Sequence, residues 1–342
     1  MPASFPSSRP DAGAPGWVRT PGSSYSALSA PYRVKPSALK RGDKLSLVGP
    51  SGSTADRARV DASIEALESM GFRVHPGTHC ADVYGYLAGS DRDRASDFME
   101  AFLDPETRGV VCLKGGYGAM RILPYLDFSA IAAHPKAFWG YSDITALHLA
   151  LGREAGLCTI HGPMPSSDMV PEFPPASRES LEDALFGTAF PRKIENPDGS
   201  QLVCIVPGVA EGEMVGGNLS LVASTMGTPW QIDPEGKIIL LEDIDEAPYR
   251  IDRMLCQLAL AGVFERCAGI VAASWTRCVP GEGKRTLSIP EIFEDIVAPA
   301  GKPLVMGLAA GHCSPSLSLP LGVAYRLDAC ACELSLLESP WA

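Results

Sequence analysis

A chain of 342 residues with 46% hydrophobic and 20% charged residues has the composition of a folded globular protein, and it exceeds the roughly 250 to 300 residues at which a single core stops growing. Its 29 lysines and arginines against 40 aspartates and glutamates leave a net charge of −11 with no basic block, which argues against nucleic acid or an anionic membrane as partner. No apolar run approaches the roughly 18 residues of a membrane span, and ten cysteines scattered without a C-x-x-C pair read as reduced thiols in a cytoplasmic protein.

Residues 1–36 are rich in Pro, Ser, Gly and Ala and lack an apolar stretch of about 7 residues, so they read as a disordered tail and not a secretory signal. Order is expected from "GDKLSLVGPSGS" (42–53), a short strand entering a glycine turn. The next segment, "ADRARVDASIEALESMGF", sets Val60, Ile64, Leu67 and Met70 at helical spacing and stops at Gly71, a C-cap residue. "RVHPG" reads as a second strand and "DRDRASDFMEAFLDPET" as a second helix with Phe98, Phe102 and Leu103 on its apolar face. The stretches "GVVCLKGGYGAMRILPYLD" and "KAFWGYSDITALHLALGREAG" each repeat strand, turn and helix, the alternation of a parallel doubly wound sheet whose ligands gather at the strands' carboxyl ends. After about residue 165 a loop rich in proline and serine and a short helix, "RESLEDALFG", lead into β-like runs such as "SQLVCIVPG" and "GKIILLEDID", with one long helix, "YRIDRMLCQLALAGVF". The expected fold class is therefore α/β: a doubly wound parallel-sheet domain over 37–165, a linker over 166–200, and a smaller α/β domain rich in β-strands over 201–342.

Chemistry enters at Ser142. The chain leaves a strand at Trp139, turns at Gly140 and Tyr141, and starts a helix at Asp143, where unpaired backbone N–H groups can hold an oxyanion. Most serines so placed are helix caps, and Ile144 stands where the nucleophile elbow of α/β-hydrolases has its last glycine, so local pattern alone favours the cap. "KGGYGAM" (114–120) is either a tight turn or a cradle whose N–H groups face a ligand. It lacks the Lys-Ser/Thr pair of a phosphate loop. A serine nucleophile needs a base and the base an orienting acceptor. Of six histidines, His75 and His79 do not share a helix, His134 and His148 fit structural or solvated roles, and His161 and His312 lie in glycine-flanked turns suited to catalysis. Glu242 and Asp243 end the apolar run "IILL": either a solvated pair, salt-bridged to Arg250 or Arg253, or a desolvated acid with a partner.

In order, "GDKLSLVGPSG", "KGGYGAMRILPYLDF", "GYSDITALHLAL", "HGPM", "GGNLSLVASTMGTPW", "LLEDIDEAPYRIDRML" and "GLAAGHCSPSLSLPLG" resemble the L,D-carboxypeptidase family of serine peptidases, which includes the microcin C self-immunity proteins. The resemblance runs from about residue 38 to the C-terminus. It implies Ser142 as nucleophile, His312 as base and Glu242 as the triad acid, with an oxyanion hole from the N–H groups of Asp143 and of Gly115 or Gly116. It further implies an acyl-enzyme with no metal or cofactor, a homodimer, and a small peptide substrate: the cytoplasmic murein tetrapeptide, cut before its terminal D-alanine. The substrate's carboxylate would look to Lys114 or Arg121. The sequence departs from the family pattern at Lys114, where arginine is common, at Cys313, where glycine is usual, and at Ser316, often asparagine. Competing expectations are hydrolysis of aminoacyl- or peptidyl-nucleotide conjugates, a non-catalytic binding module, and a cysteine hydrolase built on Cys313.

Overall fold

The structure, a computed structural model, describes residues 33–54 and 56–342. Five strands open the chain: β1 (Lys44–Val48), β2 (Arg73–Pro76), β3 (Thr107–Cys112), β4 (Ala137–Gly140) and β5 (Thr159–His161). They are parallel in the spatial order β2-β1-β3-β4-β5, with helices α1 (Arg57–Glu68), α2 (Asp91–Leu103), α3 (Ala119–Ile122), α4 (Phe128–Ala133) and α5 (Thr145–Glu154) between or after them. Helices on both faces explain why β3 and β4 read as continuous apolar runs instead of alternating ones. On one face Val110 and Phe138 meet Phe98 and Phe102 of α2 and Leu147 of α5. On the other, Leu45, Val111 and Trp139 meet Val60 and Leu67 of α1. Phe98, Phe102 and Phe138 are fully buried with centroids 5.1 and 5.7 Å from Phe98, each ring contributing about 1.5 to 3 kcal/mol by burial. Ser90 and Asp93 start α2 with a capping box. Helix α1 stops at Glu68, and Gly71 takes a positive φ of 94° in the turn beyond it.

Nine more strands follow: β6 (Arg192–Ile194), β7 (Val203–Val206), β8 (Val209–Asn218), β9 (Ile238–Ile244), β10 (Gly269–Thr276), β11 (Leu304–Met306), β12 (Leu319–Leu321), β13 (Ala324–Asp328) and β14 (Glu333–Leu336). Eight of them form a second sheet, β6-β14-β13-β8-β9-β10-β11-β7, whose centre from β8 to β11 is parallel and whose flanks are antiparallel. Ile239, Leu241, Ile270 and Ala272 form one core with helices α7 (Leu219–Thr225) and α8 (Pro248–Leu260), which follow α6 (Pro175–Phe186).

Three features differ from the sequence expectation. The C-terminal part, expected to be the smaller, carries the larger sheet. Strand β12 leaves it and pairs antiparallel with β5, closing the first sheet with residues from the end of the chain. Within 166–200 the expected helix is α6, whose Leu181 and Leu185 pack against Trp341, and the strand not expected there is β6, which pairs with β14. Most of the expected tail lies outside the described residues, but residues 33–36 are held, with Val34 bridging Leu157, Arg33 paired with Glu213 and Lys35 with Glu338. Each of these pairings joins residues far apart in sequence, which periodicity along the chain does not register.

Candidate active site

The first sheet changes winding direction between β1 and β3, and the crevice at the carboxyl ends of these strands is where such folds bind ligands. There Gly52 N–H donates to the Gly115 carbonyl across 3.2 Å, locking the turn after β1 to the glycine loop after β3. One strand over, the chain leaves β4 through an extended Tyr141 and enters a single 3-10 turn, Ser142–Ile144, ahead of α5. Ser142 has a φ of 64°, a left-handed conformation that costs a non-glycine residue about 1 to 2 kcal/mol. A cap would sit in extended backbone, so Ser142 does not cap α5. Asp143 does not cap it either: its carboxylate accepts from Ser51 Oγ and, across 2.8 Å, from Ala119 N–H.

Ser142 Oγ lies 3.0 Å from Nε2 of His312, and Nδ1 of His312 lies 2.7 Å from Oε2 of Glu242. Glu242 follows the apolar run "IILL" of β9 and is fully buried, while the His312 side chain keeps 12% exposure. The same Oε2 accepts from the His312 backbone N–H across 3.2 Å, which fixes the turn carrying the imidazole. Gly311 has to be glycine here: its φ is 93°, and a Cβ would overlap the Glu242 carboxylate. Strand alternation sends the next residue, Asp243, to the opposite face, where it accepts from Asn218 Nδ2, from Ser220 N–H and Oγ, and from Ile244 N–H. The acid pair at the end of "IILL" is therefore two buried groups with separate partners and not a solvated one. Thr145 Oγ1 accepts from Asn218 N–H across 3.0 Å, joining α5 to the second sheet beneath the site.

The glycine loop faces the serine. A Cβ on Gly115 would stand 2.9 Å from Ser142 Cβ, 3.0 Å from its Oγ and 3.5 Å from Asp143 N, so Gly115 and Asp143 flank one side of the hydroxyl. Gly116, at a φ of 113°, backs onto Gly52.

Burial pulls the His312 pKa down, but the hydrogen bond and charge of Glu242, with Asp243 and Asp168 beyond, outweigh it and leave the imidazole more basic than usual. Tyr141, whose ring is 4.8 Å from that of His312, donates its hydroxyl to Asp168 across 2.8 Å. Burial pushes Asp168 and Asp143 up from the ordinary carboxylate range. Tyr141, Asp168 and Ser51 belong to the site and were not singled out in the sequence. Asp168 sits in a single π-helical turn, Pro165–Met169, in a stretch rich in proline and serine where nothing local names its partner.

Other candidates are placed elsewhere. Arg121 is gripped by both oxygens of Asp91 at 2.9 to 3.1 Å, so its charge is committed within the protein. Among the described residues, Lys114 Nζ donates to the Ser53 carbonyl, at 3.3 Å. Burial raises the Cys313 thiol pKa, and His312 has both ring nitrogens engaged by Ser142 and Glu242, which leaves Cys313 no base. His148 is buried between Thr159 Oγ1 and the Gly140 carbonyl, and burial lowers its pKa to about 4. His161 is fully buried and, among the described residues, neither ring nitrogen has a partner. His79 pairs with Asp82 and His134 with the Ala130 carbonyl.

A doubly wound sheet that holds a strained serine against a histidine, itself held by a buried carboxylate, defines the class of α/β serine hydrolases. Residues 45–162 match the LD-carboxypeptidase N-terminal domain and residues 211–327 the LD-carboxypeptidase C-terminal domain. The chain is 44% identical over 289 residues to a probable murein peptide carboxypeptidase of Bacillus subtilis (strain 168), covering 84% of this chain and 89% of that protein. It is 33% identical over 284 residues to the murein tetrapeptide carboxypeptidase of Pseudomonas aeruginosa, covering 82% and 91% respectively. The microcin C7 self-immunity protein in its wild-type apo state shares the fold, with a TM-score of 0.83 over 90% of this chain and 100% of that one at 24% identity. The chain belongs to the LD-carboxypeptidase family and is a serine-type carboxypeptidase. No helix among the described residues is long and apolar enough to cross a membrane.

Proposed function

We propose that the enzyme removes the terminal D-alanine from murein tetrapeptides in the cytoplasm, using Ser142, His312 and Glu242 as a triad. The observation that carries this reading is the continuous chain of contacts from Ser142 Oγ through His312 to Glu242, at 3.0 and 2.7 Å. His312 Nε2 takes the Ser142 proton as Oγ attacks the carbonyl carbon before D-alanine. The N–H groups of Asp143 and of Gly115 or Gly116 receive the developing oxyanion, each such donor being worth roughly 3 to 4 kcal/mol. His312 returns the proton to the departing D-alanine amine, and water, deprotonated by the same imidazole, releases the acyl group. Glu242 holds the imidazole in its productive tautomer and stabilises its cation. With Arg121 bound to Asp91, the substrate's terminal carboxylate falls to Lys114 and backbone donors.

The test is release of D-alanine from a free murein tetrapeptide by the purified protein, and its loss in Ser142→Ala. A protein that leaves the tetrapeptide intact overturns the substrate assignment. The second reading, hydrolysis of aminoacyl- or peptidyl-nucleotide conjugates, has the fold likeness to the microcin C7 self-immunity protein in its favour; a processed microcin C analogue in the same assay separates the two.

A further inference from the structure

A second chain of contacts, through Tyr141 to Asp168, ends on the same imidazole that Glu242 holds. Tyr141 directly precedes Ser142, and its buried ring stands 4.8 Å from that of His312 with the planes 58° apart. Its hydroxyl donates to Asp168 Oδ1 across 2.8 Å, and Asp168 Oδ2 accepts from Met164 N–H across 2.7 Å. The turn that carries Asp168 is itself held. Ser166 N–H donates to the Leu113 carbonyl at 3.0 Å, just before the glycine loop. Arg59 donates from Nε to the Ser166 carbonyl at 2.9 Å and from Nη2 to the Val170 carbonyl at 3.1 Å. The other groups facing His312 have separate roles. Asp243 is bonded to Asn218 and Ser220, and Asp245 is paired with Arg277 through two contacts of 2.7 Å. Burial keeps His161 neutral and raises the Cys313 thiol pKa. Asp168 is thus the carboxylate, besides Glu242, that a side chain links to the imidazole.

We propose that Tyr141 and Asp168 are positioning residues for the base: the Tyr141 ring, tied by Asp168, fixes the rotation of the His312 imidazole, and the Asp168 charge supports its cation. This rests on the triad reading, in which His312 takes the Ser142 proton. Glu242 holds the imidazole through Nδ1, a single contact about which the ring could swing. A second ring packed against it removes that freedom and keeps Nε2 aimed at Ser142 Oγ. The face of a tyrosine ring is negative, so it attracts an imidazolium more than a neutral imidazole. The Asp168 charge acts in the same sense. Both interactions therefore strengthen as the proton moves from Ser142 to His312, which is the condition for raising kcat and not merely binding. Burial raises the Asp168 pKa, while Met164 N–H, the Tyr141 hydroxyl and the His312 charge favour its ionised form.

The experiment uses Asp168→Asn, Tyr141→Phe and the double variant. An asparagine can accept from Met164 N–H through its oxygen and donate to the Tyr141 oxygen through its NH2, so the contacts survive and only the charge is lost. In Asp168→Asn, kcat for D-alanine release and the rate at which a fluorophosphonate modifies Ser142 should both fall about five- to tenfold, with KM within about twofold of wild type. The acid limb of kcat/KM should shift to lower pH, and the His312 imidazole, followed by NMR in the Ser142→Ala background, should titrate at lower pH when Asp168→Asn is added. Tyr141→Phe keeps the ring and the charge and breaks only the tie, so kcat should fall while the His312 titration moves less. Because the two residues act as one unit, the double variant should lose no more than Asp168→Asn alone. A His312 titration unmoved in Asp168→Asn, additive losses in the double variant, or a raised KM with unchanged kcat overturns the positioning role. A protein that reacts with the fluorophosphonate and shows the lowered His312 titration, yet releases no D-alanine, keeps this inference and loses only the murein substrate. A wild-type serine that does not react overturns the triad and the inference with it.

Discussion

Replacing Glu242 by glutamine isolates the charge on which the proposed triad depends. The carboxylate is fully buried, its Oε2 takes both the imidazole and the backbone N–H of His312, and among the described residues its Oε1 has no partner. Glutamine fills the same space and can turn its oxygen to His312 and its amide nitrogen to the unpartnered side, so the contact survives while the negative charge is lost. Two effects follow. Without the charge the imidazolium formed in the transition state is unsupported, and kcat should fall about 10³-fold, or about 4 kcal/mol. The pH dependence should also move. Turnover needs neutral His312, so kcat/KM falls as pH drops through its pKa. Burial lowers that pKa and Glu242 more than restores it, which puts the wild-type acid limb above the ordinary histidine value of about 6.5. With glutamine, burial is opposed only by the more distant charges of Asp243 and Asp168, and the limb should shift to lower pH. The assay is D-alanine release from about pH 5 to pH 8 in both proteins. An acid limb that stays in place, or a variant within about tenfold of wild type, would show that Glu242 is not the group that supports His312.

Four further outcomes are expected. Ser142→Gly should unfold at higher urea than Ser142→Ala by about 1 kcal/mol, because only glycine adopts a φ of 64° without strain, while both are inactive; equal stability would remove the strain argument. Gly115→Ala should lose at least about 10²-fold in kcat with the protein still folded, since the added methyl would stand 2.9 Å from Ser142 Cβ; near-normal turnover would place the oxyanion hole elsewhere. Cys313→Ser should remain active and insensitive to thiol alkylation, and an inactive variant would revive the cysteine nucleophile. Finally, burial depresses His148 to about 4 and His161 well below its ordinary value, so at these two sites the folded state binds fewer protons than the unfolded chain below about pH 6.5. Stability should therefore fall as pH drops from about 6.5 toward 4, and His161→Leu should flatten the decline, measured by urea titration at each pH.

Much of the scaffold was legible in the residues. The buried strands "KLSLV", "GVVC" and "AFWG" declared themselves by continuous apolar character, and α2 by its phenylalanine spacing. These signals are local and survive being read one window at a time. Strand β12, the packing of α6 on Trp341 and the anchoring of residues 33–36 were not visible, because each is decided by a partner more than a hundred residues away. The larger second sheet has the same origin: its edges are built from short strands that carry little pattern of their own.

The proposed triad shows the division most clearly. Residue types and motif order, read together as a family resemblance, named Ser142, Glu242 and His312 from the sequence alone. The local physics of "GYSDI" pointed to a helix cap, since a side chain's environment is not written in its neighbours along the chain. Only the tertiary structure supplied the positive φ that lifts Ser142 out of the cap position, and the convergence of residues 100 and 70 positions apart onto one imidazole. It also withdrew Arg121 into an ion pair with Asp91 and added Tyr141 and Asp168 around His312. Composition and periodicity determine which faces are buried. Which charges remain free to meet a substrate depends on distances that exist only once the two sheets have closed on each other.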